Sequence, residues 1–193
     1  MEICHFKNYF LKSLLIIYFC AFGSLIAQSE FYACNSKFDD SASEWYIYTI
    51  DKDGNEVESQ IRLKWPFKND WTEWSAIHHD DFYNVKLKYK NIPDHWEMRT
   101  PHGSIISMKT KWSNDFTEWV ITENDLKLKW ISEYRNNMSS WYFEHKTLGF
   151  MNMYTYNAGD PRDWILEDEA IDVSDEMKLA MVFISVYLTN PKR

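Results

Sequence analysis

A tryptophan returns along this chain at near-constant spacing: Trp45, Trp74, Trp96, Trp119, Trp141 and Trp164. From Trp74 onward the gaps run 22, 23, 22 and 23 residues, and only the first gap, 29, is longer. A repeat of this length is one small supersecondary unit copied along the chain, and its neighbours must stack to bury a shared core. The repeat therefore constrains architecture strongly while naming no chemistry.

Aligned on their tryptophans, the copies share one layout. Ile61-Arg62-Leu63-Lys64-Trp65 precedes Asn69-Asp70-Trp71-Thr72-Glu73-Trp74, and Leu126-Lys127-Leu128-Lys129-Trp130 precedes Asn136-Asn137-Met138-Ser139-Ser140-Trp141. Stretches at 85–98, 106–120 and 151–166 follow the same plan, and a more diverged copy surrounds Trp45. Each copy opens with apolar/polar alternation, the period of a half-buried strand. It then meets turn formers and closes in a second run rich in aromatic and β-branched residues. Six hairpins give about twelve strands.

Parity assigns the faces. Ile61, Leu63, Trp65 and Trp74 fall inward, with Arg62, Lys64, Glu73 and Ser75 outward. The same parity turns out Lys86, Lys88, Lys109, Lys111, Lys127 and Lys129, with Glu97 and Glu118 available across the hairpins. Opposite charges paired across strands contribute about 0.2–1 kcal/mol each. With Lys64, these lysines form the candidate binding surface, a stripe suited to an anionic lipid or glycan. The competing account is a solvated sheet face neutralised by its glutamates, and the acidic balance of the chain favours it.

The first 27 residues read as an export signal. Lys7 and Lys12 precede an apolar core at 14–22, and Ala27 offers a small residue at the cut. An uncleaved anchor is the alternative, although the apolar core is short of the roughly 20 residues a bilayer needs. Cleavage leaves a single domain at 28–193, secreted or periplasmic, with no transmembrane span. Glu2, Lys7 and Lys12 leave with the signal, so 19 basic and 28 acidic residues remain, a balance of −9. That balance argues against nucleic acid, whose binding requires neutralised phosphates. Cys4 and Cys20 leave too, so Cys34 has no partner for an internal disulfide. It reads as a small buried hydrophobe; the alternative is a reactive or intermolecularly bridged thiol.

One segment breaks the β pattern. After acidic residues at 167–169 and 172, Ser174-Asp175-Glu176 opens a run that is apolar without a break over 179–184. Ser174 or Asp172 suits an N-cap and the early acids suit a helix start, while Asn190-Pro191 is a stop signal. The run also reads as a buried strand on its β-branched content; cap and length favour a helix. A helix apolar all round belongs inside a protein or a membrane, and this one is too short to span a bilayer core. A closed barrel answers both observations. Closure removes exposed edges, and a barrel of about twelve strands is wider than its own side chains fill. The expected fold is all-β with one helix: an antiparallel meander closed around a buried C-terminal helix.

The hairpin at 46–57, with its Asp51-Lys52-Asp53-Gly54-Asn55 turn, and the stretch from Asp163-Trp164-Ile165-Leu166 through Met177-Lys178-Leu179-Ala180-Met181-Val182-Phe183-Ile184 carry a resemblance. The chain resembles the tubby-like C-terminal domain superfamily, nearest its phospholipid scramblase and LURP-one-related branch. That resemblance implies a twelve-stranded barrel threaded by its closing helix. In that superfamily tubby domains bind phosphoinositides through basic residues and scramblases associate with membranes, but family function does not transfer with the fold. Those relatives act at cytosolic membrane faces, whereas this chain reads as exported. None of their lipid-binding positions carries over to a residue here.

Motifs for chemistry are few. His78-His79-Asp80-Asp81 has metal-ligand residue types, yet neighbouring histidines in one loop seldom converge on an ion and no partner cluster stands at a suitable spacing. It reads as a loop, with no metal or cofactor expected. The Asp51 turn brushes the calcium-loop pattern, but its glycine is fourth rather than sixth. The six periodic tryptophans read as core, with Trp65, Trp71 and Tyr134 less constrained and free to be exposed, as on a sugar-stacking surface. No nucleophile elbow, zinc-protease or phosphate-loop motif occurs, so an enzyme has no residue to nominate. The expectation is a non-catalytic binding or envelope-associated module. A scaffold, or an enzyme with its site at the barrel mouth, are the alternatives.

Overall fold

The computed structural model describes residues 28–189 apart from 39 and 69, so the expected export signal lies outside the described residues. Six strands form the first half: β1 (Glu30–Ser36), β2 (Glu44–Ile50), β3 (Glu56–Trp65), β4 (Asp70–His78), β5 (Asp81–Tyr89) and β6 (Ile92–Arg99). The second half holds β7 (Ile105–Trp112), β8 (Asp115–Glu123), β9 (Leu126–Tyr134), β10 (Asn137–His145), β11 (Gly149–Thr155) and β12 (Asp163–Asp168). Each strand pairs antiparallel with its neighbours in the chain, and β1 pairs with β12 to close the barrel. Closure places Cys34 opposite Trp164. Cys34 is fully buried, and that burial pushes its thiol well above the ordinary range.

The six periodic tryptophans all point into the barrel and are essentially inaccessible to solvent. Their indole N–H groups still need acceptors, because an unpaired polar group in a core is costly. Each donates to the carbonyl three residues earlier: Trp45 to Ala42, Trp74 to Trp71, Trp96 to Pro93, Trp119 to Phe116, Trp141 to Met138 and Trp164 to Pro161, at 2.8–3.2 Å. The repeat thus carries its own acceptor. Register shifts between Leu63 and Trp65, Leu87 and Tyr89, and Thr110 and Trp112 bend the hairpins near this point, as β-bulges do.

The terminal run is a helix, α1 (Asp175–Thr189), and its residues from Met177 to Tyr187 are buried on every side. Ser174 caps it by accepting the Met177 amide at 3.2 Å. Strands from around the barrel meet it. Phe183 lies 5.8 Å from Trp74 on β4 and 5.1 Å from Trp96 on β6, ring to ring. Trp130 on β9 donates to Ser185 Oγ at 2.9 Å, and Thr189 Oγ1 donates to the Met138 carbonyl on β10. The helix therefore fills the lumen, where each large side chain contributes about 1.5–3 kcal/mol by burial.

The acidic link before the helix is anchored on the β10–β11 turn. Glu169 donates its amide to the Phe150 carbonyl, and Ile171 donates to that of Leu148. Gly149 adopts φ +79, and a Cβ there would sit 2.0 Å from the Glu169 carbonyl oxygen. Glycine is needed at that crossing on both counts.

The outer face carries the charges parity assigns to it. Glu73 binds Lys64 at 3.2 Å and Lys86 at 3.1 Å, Glu97 binds Lys88 at 2.7 Å, and Glu118 reaches Lys111 and Lys129. Ser75, on the same face, is nonetheless buried and accepts from Arg62 Nε at 3.3 Å. A charged exterior is the reverse of the apolar belt on a membrane-spanning barrel. Among the described residues, no helix is long and apolar enough to cross a membrane.

Candidate functional site

Alternating strand direction sends every odd-to-even turn to one end of the barrel and every even-to-odd turn to the other. The C-terminus of α1 reaches the first end, beside Met138, and its N-terminus begins at the second, beside His78.

The first end is an aromatic rim. Trp65, Tyr89, Trp112 and Tyr134 are the last residues of β3, β5, β7 and β9. Their sequence parity is inward, yet Trp65 donates to the outer-face Glu73 at 3.3 Å, Tyr89 lies 5.9 Å from the His95 ring and Trp112 is 63% exposed. Phe38, Phe67, Ile92 and Tyr156 add exposed apolar surface at the same end, with Phe67 wholly in solvent. Cations lie over several of these rings. Lys64 and Lys68 sit 5.6 and 4.6 Å from the Trp65 centroid, Lys88 is 5.9 Å from Tyr89, Lys111 is 5.6 Å from Trp112 and Lys37 is 5.5 Å from Phe38. Such pairs hold a cation beside an apolar plate. An open groove of about 390 Å³ continues the rim between Arg135, Asn137, Thr155, Pro161 and the end of α1 at Leu188.

The candidate lysines divide between two situations. Lys64, Lys88 and Lys111 pair with glutamates and also stand next to rim aromatics. Lys86 and Lys129 share those glutamates farther down the wall, while Lys109 and Lys127 are exposed on β7 and β9. Hydrogen bonds from Lys86 and Lys64 hold the Glu73 carboxyl down to about 2, and the Glu97 carboxylate raises Lys88.

The opposite end is polar. His78 closes β4, and the turn to β5 consists of His79 and Asp80, both left-handed at φ 48 and 65. This folds the His79 ring back onto His78, with centroids 4.3 Å apart. Asp175, in the first turn of α1, brings its Oδ2 to 3.4 Å from His78 Nε2. Ser59 Oγ lies 2.6 Å from His78 Nδ1, and Ser29 Oγ is 3.0 Å from His79 Nε2. The Ser29 amide donates to both Asp175 oxygens, at 3.1 and 3.3 Å. Burial opposes ionisation of Asp175, but the contacts from His78 and Ser29 outweigh it and keep the carboxyl below its ordinary range. Burial and the nearby Glu176, Asp81, Asp175 and Glu123 carboxylates push the Tyr83 hydroxyl well up, which marks this end as electronegative.

Comparison with protein-family models, curated proteins and solved structures finds no match.

Parity puts Trp65 inward, but it is exposed and donates to the outer-face Glu73, as its freer reading allows; Tyr134 is exposed too, and Trp71 is half-buried against the core. Sequence reasoning does not single out Tyr89 and Trp112. The signal for them is a second aromatic period, 65, 89, 112 and 134, at gaps of 24, 23 and 22 residues. The Asp51 carboxylate is occupied by its own hairpin, accepting from the Asp53 and Asn55 amides at 2.9 and 2.8 Å.

Proposed function

We propose that this chain is an exported, non-catalytic binding module of the tubby-like kind, and that it seats its aromatic rim on an anionic membrane surface. The observation that carries this reading is the ring of aromatic side chains with lysines beside them, gathered at one end of the barrel. Tryptophan and tyrosine settle at the bilayer interface, where an apolar body meets a wet edge, and neighbouring lysines favour anionic lipid. Such a rim needs no spanning segment, since apolar tips entering the headgroup region together with charge attraction suffice for peripheral binding. A closed barrel with a helix through its lumen supports the tubby-like assignment, and the export signal read from the sequence at 1–27 favours a surface of the cell envelope. The lysine stripe serves this function at its upper end, through Lys64, Lys88 and Lys111, while the remaining stripe lysines lie down the wall.

Sedimentation with phosphatidylcholine vesicles, with and without phosphatidylglycerol, tests the proposal. The protein is expected to sediment with the anionic vesicles, more weakly at high salt because exposed charges are screened beyond about 10 Å at 0.1 M. The combined Trp65→Ser, Phe67→Ser and Trp112→Ser variant should lose at least tenfold in partitioning while melting like the parent. No partitioning, or equal partitioning by that variant, contradicts the proposal. Binding of the parent to a soluble glycan array but to no vesicle would assign the rim to sugar instead.

A further inference from the structure

Two histidines adjacent in sequence ordinarily point to opposite faces of a strand. Here the left-handed turn undoes that divergence. Two-residue hairpin turns with both residues left-handed favour Asn-Gly, so His79 and Asp80 hold this conformation at a cost in backbone strain. The outcome is that ligand atoms of His78, His79 and Asp175 all lie within 4.8 Å of one another. They come from a hairpin and from the start of a helix 97 residues away.

We propose that His78, His79 and Asp175 bind a first-row divalent cation, zinc by donor type, at the end of the barrel opposite the aromatic rim. Two imidazoles and one carboxylate are a familiar three-ligand zinc set, with water in the fourth place. The 3.4 Å between His78 Nε2 and Asp175 Oδ2 is long for a hydrogen bond. It matches the roughly 3.3 Å edge of a tetrahedron whose metal–ligand bonds are about 2.0–2.1 Å. His78 is held for this task. In the tautomer that metal binding requires, Nδ1–H donates to Ser59 Oγ, 2.6 Å away, and the Nε2 lone pair faces the Asp175 carboxylate. Two acceptors that close want a cation or a proton between them, and the serine acts as the outer-shell group that orients a metal-bound imidazole. His78 is buried and His79 exposed, which gives a fixed ligand and an entry path. Lys178, on the same helical turn, is neutralised by Asp168 at 2.8 Å, and the neighbouring Glu123, Asp81 and Glu176 favour a cation. The site is independent of the rim and of any membrane function.

The experiment is titration of the purified, untagged protein with zinc, followed by calorimetry, and with cobalt, followed by its visible spectrum. One equivalent should bind, the cobalt form should show the strong visible bands of four-coordinate geometry, and zinc should raise the melting temperature. His79→Ala, at an exposed position, should fold and lose affinity by at least the roughly 10–100-fold that removal of a mere outer-shell partner costs. Asp175→Asn should do likewise, and His95→Ala, remote from the cluster, should bind as the parent does. Less than one equivalent bound by the parent, or undiminished binding by His79→Ala, overturns the proposal.

Discussion

Val182→Asp is expected to leave no folded protein. Val182 lies mid-helix, fully buried within the barrel. An aspartate there has no partner, and an isolated buried charge costs more than a domain with about 5–15 kcal/mol of stability withstands. Near-UV circular dichroism should vanish and tryptophan emission should shift to the red, because the indoles of β4 and β6 pack on this helix through Phe183. Val182→Ala removes two methyl groups and keeps the site apolar, so it should cost only about 2–3 kcal/mol and remain folded. An aspartate variant melting at the parent temperature would refute the buried placement.

The second large effect belongs to Lys178. Its ammonium is buried, bound to Asp168 Oδ2 at 2.8 Å and donating to the Ser29 carbonyl at 2.9 Å. Asp168 in turn accepts the Phe31 amide at 3.0 Å and the Ala170 amide at 3.0 Å. One ion pair thus ties the start of β1, the end of β12 and the first turn of α1, where the barrel closes. Lys178→Met should destabilise by about 3–5 kcal/mol in urea denaturation, because it strands a carboxylate in a dry site. Adding Asp168→Asn should recover much of that loss, since the neutral amide still offers an oxygen to a backbone donor. A loss below about 1 kcal/mol would mean that water reaches the pair, as it does for exposed bridges.

The strands were legible because alternation is strict and both faces speak: Leu63, Leu87 and Leu128 inward, Lys64, Lys88 and Lys129 outward. The helix was legible from its cap and from apolar residues on every face, which leave it no surface to offer solvent. Lys178 broke that pattern as a charge inside an apolar run, and only the barrel closure that brings Asp168 to it explains its burial. The tryptophan period marked the core, but the reason for tryptophan lay in three dimensions, in a carbonyl turned back by the start of each even strand. The rim aromatics share the inward parity of core residues, so alternation alone assigns Trp112 and Tyr89 to the interior. They are exposed where the register shifts at the strand ends, and Tyr89 lies 5.9 Å from the ring of His95 on the outer face. The meeting of Asp175 with His78 and His79 had no local signature, since closure of the whole barrel sets the distance between them.

Native-state hydrogen exchange across α1 tests the central claim most directly. A helix enclosed by twelve strands can exchange only when the barrel opens, so the amides of residues 179–187 should be among the slowest in the molecule. Their exchange free energies should equal that of global unfolding. Exchange of these amides well ahead of the strand amides, at a free energy far below global unfolding, would show a helix resting on the outside and would contradict the fold from which both proposed sites follow.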